Sequence, residues 1–474
     1  MGINDILNIG VRSLSVQRMA IEVTGENISN VNTPGYSRQT MDLQTALGSM
    51  LNGGNGVQAA PIQRAHDADL QAQIQGETSL NGEQTVLQNA LQKVEPLFND
   101  TASTGIAASI QDFFNSWQDL ATNPQGATER QAVLSKGQVL VSDFQRINSS
   151  LNEVRQNADK SLTGLTNDIT RKAKQIADLN GQITQIELRG GNANQLRDSR
   201  DQSLKDLSQK VGVSYREERD GTVTVTLGST AKYGSSVLVA GAESSLLQVG
   251  TTTDGTTGII LKKSAKVGGI DVKPAILADS KGGELGGALK VRDEVIPGFL
   301  AKLDELASSL ATAVNTQHAA GYDLNNNPGI NFFTPPPPAT PPAGYSASIS
   351  LNVTSTNEIA AASLPNGSGN NENALSLAGL KDKTLTVSGT QTTLAGLYVS
   401  LVGDVGVAVQ SSQQDVAQSG AMLKQLDNLR ESTAGVSLDE ELSHLIASQK
   451  AYEASAKLVN TGLEMLDTIF GMLR

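Results

Sequence analysis

The stretch that decides the fold occupies residues 437–474 and reads SLDEELSHLIASQKAYEASAKLVNTGLEMLDTIFGMLR. Its mostly apolar positions recur by alternating steps of four and three, which places them on one narrow stripe of an α-helix. Such a stripe is typical of a coiled-coil seam, and Ser437 with Glu440 fits a capping box that begins the helix. We predict a seam formed by Leu438, Leu442, Leu445, Tyr452, Val459, Leu463, Leu466, Phe470 and Leu473.

A second seam lies near the other end of the sequence. The same alternation predicts a helix that Pro34 and Gly35 bring to an end. An apolar stripe along a whole helix requires a partner, and the simplest partner for each seam is the other, in an antiparallel pair. A clasp that closes one globular protein and an interface for assembly both fit this pattern. The residues of this seam are Ile3, Leu7, Leu14, Ile21, Ile28 and Val31.

Helical periodicity also dominates the middle of the sequence. It predicts one long helix from about residue 129 to 188, shorter helices around 80–94, 106–120 and 196–211, and a last one from 394. Pro297 interrupts a further helical run and should kink it or start a new helix. Since few aromatic residues occur, the core should rest mainly on aliphatic side chains.

Strand periodicity is confined to short segments. Asp220 and Gly221 form a hairpin signal between two alternating runs, and further strands are predicted at 237–240, 246–249 and 259–261, with a turn at Asp254 and Gly255. Short strands are also expected at 40–43 and 57–62. Residues 321–393 are rich in Gly, Asn, Ser, Thr and Pro, and PPPPATPP at 335–342 is interpreted as a stiff surface loop rather than a ligand motif.

The predicted fold class is mainly α with a β insertion (α+β). Its parts are a terminal coiled-coil core domain (1–36 and 436–474), an elongated helical-bundle domain (37–210, 284–320 and 394–435), a β-rich inserted domain (211–283) and an irregular excursion (321–393).

Composition excludes several classes of function. The net charge of −12 would repel a phosphate backbone, so nucleic acid is not expected as a partner. With no cysteine, disulfides and thiol chemistry are excluded. We find no apolar run of the roughly 20 residues that span a bilayer and no standard secretory leader, so a membrane is not expected as a partner either.

No catalytic, cofactor or metal site is predicted. The three histidines are far apart, and alanine at His66 or His318 is expected to leave assembly intact. HDAD at 66–69 is interpreted as a helix start, and DLNNNPG at 323–329 lacks the glycine and glutamate that a calcium loop requires. Asp198 and Asp201, interleaved with arginines, are interpreted as a solvated salt-bridge face.

Two stretches resemble a known family. NISNVNTPGYSRQ at 27–39 is similar to the N-terminal signature of bacterial flagellar rod, hook and hook-associated proteins, and GVSLDEELSHLIASQKAYEASAKLVNTGLEMLDTIFGML at 435–473 is similar to their C-terminal signature. Stretches at 196–215 and 282–307 resemble hook-associated members. The signature turn comprises Asn27, Asn30, Asn32, Thr33, Pro34, Gly35 and Tyr36.

The resemblance implies a non-enzymatic axial subunit that forms the junction between hook and filament by polymerisation of its terminal helices. It implies type III export and an extracellular location at that junction. The implied partners are other copies of the chain, the hook protein, hook-associated protein 3 and an export chaperone that binds the C-terminal region. The alternatives are hook-associated protein 3 or a flagellin-like subunit on the filament side, and a secreted coiled-coil adhesin or an enzyme.

Overall fold

The structure of the chain is a computed structural model that describes residues 3–46, 56–99, 105–228, 236–251, 257–263, 282–338 and 343–472. Its α-helices are α1 (Ile3–Ser29), α2 (Ala68–Val94), α3 (Ile106–Thr122), α4 (Ala127–Glu187), α5 (Asn194–Lys210), α6 (Gly283–Lys290), α7 (Ile296–Ala319), α8 (Tyr345–Ser348), α9 (Glu372–Ala378), α10 (Leu394–Ala434) and α11 (Leu438–Met472). Its strands are β1 (Gln39–Thr40), β2 (Leu43–Thr45), β3 (Val57–Ala59), β4 (Gln63–Arg64), β5 (Val213–Glu217), β6 (Val223–Leu227), β7 (Val237–Ala240), β8 (Glu243–Ser244), β9 (Leu246–Thr251), β10 (Thr257–Lys263), β11 (Leu385–Val387) and β12 (Thr390–Thr392).

The chain forms two compact units. The first comprises Met1–Asn81, Thr166–Gly283 and Ser419–Arg474, and the second comprises Gly82–Leu165 and Glu284–Gln418. This division is coarser than the four predicted domains, which stay a prediction. The mainly helical fold with small antiparallel sheets confirms the predicted fold class.

The long predicted helices are confirmed. The helix predicted at 129–188 is α4, and the helix predicted from 394 is α10. Before Pro297 the backbone passes through a π-helical segment, Val291–Val295, and α7 then begins at Ile296, so that proline occupies its first turn. Helical backbone precedes this proline, whose nitrogen has no hydrogen to donate; the π-helical segment lies at this point, and Arg292 O accepts from Arg155 Nε instead.

The first unit contains a four-stranded antiparallel sheet in the order β5-β6-β7-β8, with β5 and β6 joined by the predicted hairpin. Gly221 in its turn has a φ of +79°, a value that glycine adopts without strain. Helix α4 is fastened to the sheet by Asn180, whose side chain bonds both the N–H and the C=O of Val223. The expected turn at Asp254 and Gly255 lies outside the described residues.

The second unit is built around an aromatic cluster. Phe113 and Trp117 of α3 meet Phe332 and Phe333, with ring centroids 4.9–6.3 Å apart among them. All four side chains are buried. These rings pack within a larger buried cluster that consists mainly of Leu, Ile, Val and Ala side chains, which confirms the predicted aliphatic core. Two of the four come from the irregular segment 321–393, which is packed into this unit; residues 339–342 of the proline tract lie outside the described residues.

Among the residues that the structure describes, one helical segment meets a simple criterion of length and hydropathy for a membrane span. Leu394–Met472 contains a window of 18 residues with a mean hydropathy of 1.4, of which 28% is buried. Core helices of soluble proteins meet the same criterion, so length and composition alone do not assign a membrane to it.

Candidate assembly site at the paired terminal helices

Helices α1 and α11 lie side by side and run antiparallel. Near the start of α1, Leu7 lies against Gly462, and in its middle the hydroxyls of Ser13 and Ser455 are 2.7 Å apart. Near its end, Asn27 reaches Glu441 in the first turn of α11. This confirms that the two terminal helices pair with each other.

Small residues form much of this contact. A Cβ atom added at Gly10 would lie 2.6 Å from Cγ2 of Val459, and one added at Gly462 would lie 2.8 Å from Cδ2 of Leu7. Both distances are shorter than real Cβ contacts, so glycine at these positions permits the backbones to approach closely. Glu441, Ser455 and Gly462 are the buried residues of α11. The sequence contains a heptad pattern that could have indicated this buried line of α11. Its positions, seven residues apart, are Glu441, Ser448, Ser455 and Gly462.

The predicted seam of leucines is only partly covered by this pairing. Leu445, Val459 and Leu466 are half-buried, as are Leu7, Leu14, Ile21, Ile28 and Val31 of the other seam. Five further residues are 40–64% exposed, namely Leu438, Leu442, Tyr452, Leu463 and Phe470. Helix α11 also exposes Ile446, Leu458, Met465 and Ile469. The side chains of Ile3 and Leu473 lie outside the described part of the chain. That these residues form an assembly seam stays a prediction.

The side chain of Asn27 is the centre of the signature turn. It is 1% exposed, and its Oδ1 accepts hydrogen bonds from Tyr36 Oη and Gln39 N, each at 2.9 Å. Its Nδ2 donates to Gln39 O at 2.8 Å and to Glu441 Oε2 at 3.1 Å. All four hydrogen-bonding positions of the amide are therefore used. Burial raises the pKa of Tyr36 to about 12, so its hydroxyl stays a donor at neutral pH.

The rest of the turn folds back on the end of α1. The helix ends at Ser29, earlier than Pro34, so the predicted stop was late and Val31 lies beyond the helix. The ending is explained by Asn30, whose Nδ2 bonds Glu26 O and whose Oδ1 accepts from Thr33 Oγ1. Gly35 has a φ of +83°, which favours glycine. Asn32, Thr33 and Pro34 are exposed.

Arg38 joins the turn to the start of α11. Its Nε donates to Glu441 Oε1 at 2.7 Å, and its Nη1 lies 3.0 Å from Glu440 Oε2. The Glu441 side chain is buried, whereas that of Glu440 is 61% exposed. Helix α11 begins at Leu438, directly after Ser437 as predicted, but the carboxylate of Glu440 pairs with Arg38.

A second buried polar cluster is centred on Asp198 and contacts Ser37, which directly follows the signature turn. The Asp198 carboxylate accepts hydrogen bonds from Ser37 N at 3.0 Å and from Arg64 Nη1 at 2.9 Å. Asp201 also pairs with Arg64, at 2.6 Å. Both Asp198 and Arg200 are buried, so the prediction of a solvated salt-bridge face was wrong. Burial raises the pKa of Asp198, and the bonds from Ser37 and Arg64 oppose that shift.

The remaining polar motifs have structural roles. Asp67 Oδ1 accepts from the N–H groups of Asp69 and Leu70 and caps α2, which confirms the predicted helix start. Asp323 Oδ1 accepts from Asn327 N and closes its own loop. Within the described residues, no group of three or more His, Asp or Glu side chains is arranged to hold a metal ion.

Three family models match the chain. The model of the flagellar hook-associated protein FlgK helical domain matches residues 91–333, more than half of the 474 residues. The model of the flagellar basal body rod FlgEFG protein C-terminal region matches residues 430–472, and that of the flagella basal body rod protein matches residues 7–36. The last two matches cover α11 and α1 with its signature turn.

Similar proteins are found at full length. Flagellar hook-associated protein 1 of Bacillus subtilis is 29% identical over 97% of this chain and 96% of its own length. Its namesake from Escherichia coli is 26% identical over 99% of this chain and 100% of its own length. The solved structure of the flagellar hook junction protein FlgK from Burkholderia pseudomallei, 19% identical, matches 77% of this chain with a TM-score of 0.66 and shows the same fold. The chain therefore belongs to the family of the flagellar hook-associated protein FlgK and is a structural component of the bacterial flagellum.

Proposed function

We propose that this chain is a non-enzymatic axial subunit that joins the flagellar hook to the filament, and that it assembles through the apolar seam of α1 and α11. The observation that carries the proposal is the exposure of large apolar residues along α11 while α11 is already paired with α1. Leu438, Leu442, Leu463 and Phe470 lie on the part of the stripe that the pairing leaves open.

Burial of the exposed part of the seam would stabilise a contact between subunits. Burial of one leucine from full exposure contributes about 1.5–3 kcal/mol, and these side chains are roughly half exposed. Several of them in one stripe would stabilise a contact between subunits by several kcal/mol. A soluble protein rarely leaves such a stripe open along a helix, which favours neighbouring copies as its cover.

The proposed partners follow from the names of the relatives. One similar structure carries the name of a hook junction protein, and the rod models match both terminal helices. We infer contacts with other copies of the chain, with the hook protein and with hook-associated protein 3. We also propose type III export, an export chaperone on the C-terminal region and a final location at the junction outside the cell.

The test compares two aspartate substitutions on α11. Leu463→Asp places a charge on the exposed seam, and burial of an unpaired carboxylate at an interface costs several kcal/mol. Because every subunit of a ring or helix would carry the same defect, the variant should be secreted but not incorporated, and cells should shed filament protein. Thr461→Asp, an exposed polar position two residues away, is the matched control and should leave filaments intact.

Cells are scored for filaments, and secreted amounts of both variants and of filament protein are measured. Normal filaments with Leu463→Asp at normal secretion would contradict the seam. An equal loss of filaments with Thr461→Asp would show that any negative charge added to this part of α11 blocks assembly, whether or not it lies on the seam.

A further inference from the structure

Five Asn–Gly dipeptides occur in the sequence, and the structure gives them different surroundings. In this dipeptide the backbone nitrogen that follows asparagine is least hindered, because glycine has no Cβ. That nitrogen can attack the side-chain carbonyl carbon and expel the amide. The dipeptides are Asn52–Gly53, Asn55–Gly56, Asn81–Gly82, Asn180–Gly181 and Asn366–Gly367. Asn52 and Asn55 lie outside the described residues.

Two of the sites lie within helices. Asn81 belongs to α2 and Asn180 to α4, where the helix fixes the backbone and holds the following N–H in the helical hydrogen-bond ladder. The side chain of Asn180 is also fully buried, with Nδ2 bonded to Val223 O at 2.9 Å and to Gly241 O at 2.8 Å. Ring closure at either site requires the helix to open locally.

Asn366 lies outside the helices and is not buried. It is exposed in the loop between Ala362, a β-bridge residue, and α9, and it directly follows Pro365. Its φ of 58° is a left-handed turn conformation that asparagine tolerates. Among the hydrogen bonds of the described residues, none uses Gly367 N as donor. Asn326 Nδ2 donates to Asn366 Oδ1 at 3.0 Å, which polarises the carbonyl that the nitrogen must attack.

We propose that Asn366 is a site of spontaneous deamidation in the folded protein. Gly367 N forms a bond to Cγ of Asn366, its proton leaves with Nδ2 as ammonia, and a cyclic imide remains. Water then opens the imide at either carbonyl, which yields aspartate or isoaspartate at position 366. No electron is transferred, and the one co-reactant is water.

The modification acts on a clasp between two loops. Asn366 N donates to Asn326 Oδ1 at 2.5 Å, and Asn326 Nδ2 donates back to Asn366 Oδ1, so the pair joins the loop 363–370 to the loop 321–328. Both residues have positive φ, 63° at Asn326 and 58° at Asn366. Aspartate keeps an acceptor for Asn326 Nδ2. Isoaspartate keeps the covalent link between N and Oδ1 but makes that oxygen a main-chain carbonyl and lengthens the main chain by one carbon, so we expect it to distort the clasp.

The experiment follows all Asn–Gly sites in the full chain by peptide mapping with mass spectrometry. One sample is kept folded in mildly alkaline buffer, and a second is unfolded in urea, where every site is equally accessible. We expect Asn366 to react at a similar rate in both samples. Asn81 and Asn180 should react about tenfold or more slowly in the folded sample, because their helices must open first. The sites at Asn52 and Asn55 are mapped separately.

Strong protection of Asn366 in the folded chain, equal to that of Asn180, would overturn the proposal. Asn366→Gln serves as the blocked variant, because a longer side chain disfavours the ring. The isoaspartate content of the folded sample should fall in this variant by the amount that peptide mapping assigns to position 366. An unchanged content would place the reaction elsewhere and also overturn the proposal.

Discussion

Asn27 at the end of α1 donates its side-chain amide to the carboxylate of Glu441 in the first turn of α11, 3.1 Å away, although 414 residues separate the two along the chain. The same carboxylate receives Arg38 from the segment after the signature turn. One buried acid therefore fixes both the end of the first helix and the beginning of the last. The signature turn sets how the two helices are aligned, in addition to ending α1.

Asn27→Ala is expected to loosen this alignment. It removes four hydrogen bonds and leaves buried partners such as Gln39 N without their acceptor, and each unsatisfied buried group costs about 1–3 kcal/mol. Amide hydrogen exchange of α1 and of the first turns of α11 should become faster. Asn32→Ala, in the same turn but exposed, should leave exchange unchanged. Equal effects from both variants would mean that the amide of Asn27 has no special role.

The two glutamates that contact Arg38 should respond differently to neutralisation. Glu441→Gln should lower the free energy of unfolding by about 1–3 kcal/mol, because the side chain is buried and both oxygens accept charge-assisted bonds. Glu440→Gln should change it by less than about 1 kcal/mol, since the solvent screens an exposed pair. Urea denaturation of both variants measures the difference. A larger effect at Glu440 would contradict the assignment of Glu441 as the buried anchor.

Periodicity predicted the helices well because each one is a local pattern. Helix α4 was predicted at 129–188 and is found at Ala127–Glu187. A long helical period without proline is therefore enough to predict both ends of this helix to within two residues. The end of α1 was predicted late, because the side chain of Asn30 ends the helix before the proline does. The apolar stripes predicted that the two terminal helices pair, but they did not predict that glycine and serine residues of α11 form the closest contacts with α1.

The buried polar clusters could not be predicted from spacing. Asp198 looks like a surface charge on α5, and nothing local shows that Ser37 and Arg64, more than 130 residues earlier, donate hydrogen bonds to it. Arg200 looks like a second surface charge, but it donates to Asn180 Oδ1 and Gly221 O in the interior. Their burial is a property of the tertiary fold. His318 is a similar case, because its partners Ile330 and Ala360 lie in the irregular segment, where no periodicity exists to indicate a core.

Substitution of Gly10 should separate the paired helices. Leucine there must displace Val459, and overpacking of this kind costs about 1–3 kcal/mol. Gly25→Leu is the matched control on the same helix, because in the described structure no atom outside its own neighbourhood lies within 4 Å of the Cβ that it would gain. Leucine at Gly25 should even favour the helix, since glycine is the poorer helix former. Thermal unfolding, followed by the helical circular dichroism signal, should move to lower temperature for Gly10→Leu alone.

His318 should make the free energy of unfolding depend on pH in the acidic range. Its ring is fully buried, Nδ1 bonds Ile330 O at 2.5 Å, and Nε2 accepts from Ala360 N at 2.9 Å, so the neutral form fits. Burial is the main cause that lowers the pKa of His318 to about 4, and the nearby charge of Arg130 lowers it further. The hydrogen bond to Ile330 O and the charge of Asp323 oppose this shift. Between the ordinary value near 6.5 and about 4, the unfolded chain binds a proton that the native chain does not. The free energy of unfolding should therefore fall by about 3 kcal/mol as the pH drops through this range.

His318→Gln removes the titrating group and should flatten that part of the pH profile, as measured by urea denaturation at a series of pH values. It should also lower stability at pH 7, because the ring packs against Trp117 and Phe332. His444→Gln, on the exposed surface of α11, is the control and should leave the steep part of the profile in place. An unchanged slope in His318→Gln would show that other groups cause the acid sensitivity. A loss of stability at neutral pH would show that the buried imidazole, with its two hydrogen bonds, is part of the core. The sequence expectation that alanine at His318 leaves assembly intact is tested separately, by scoring cells for filaments.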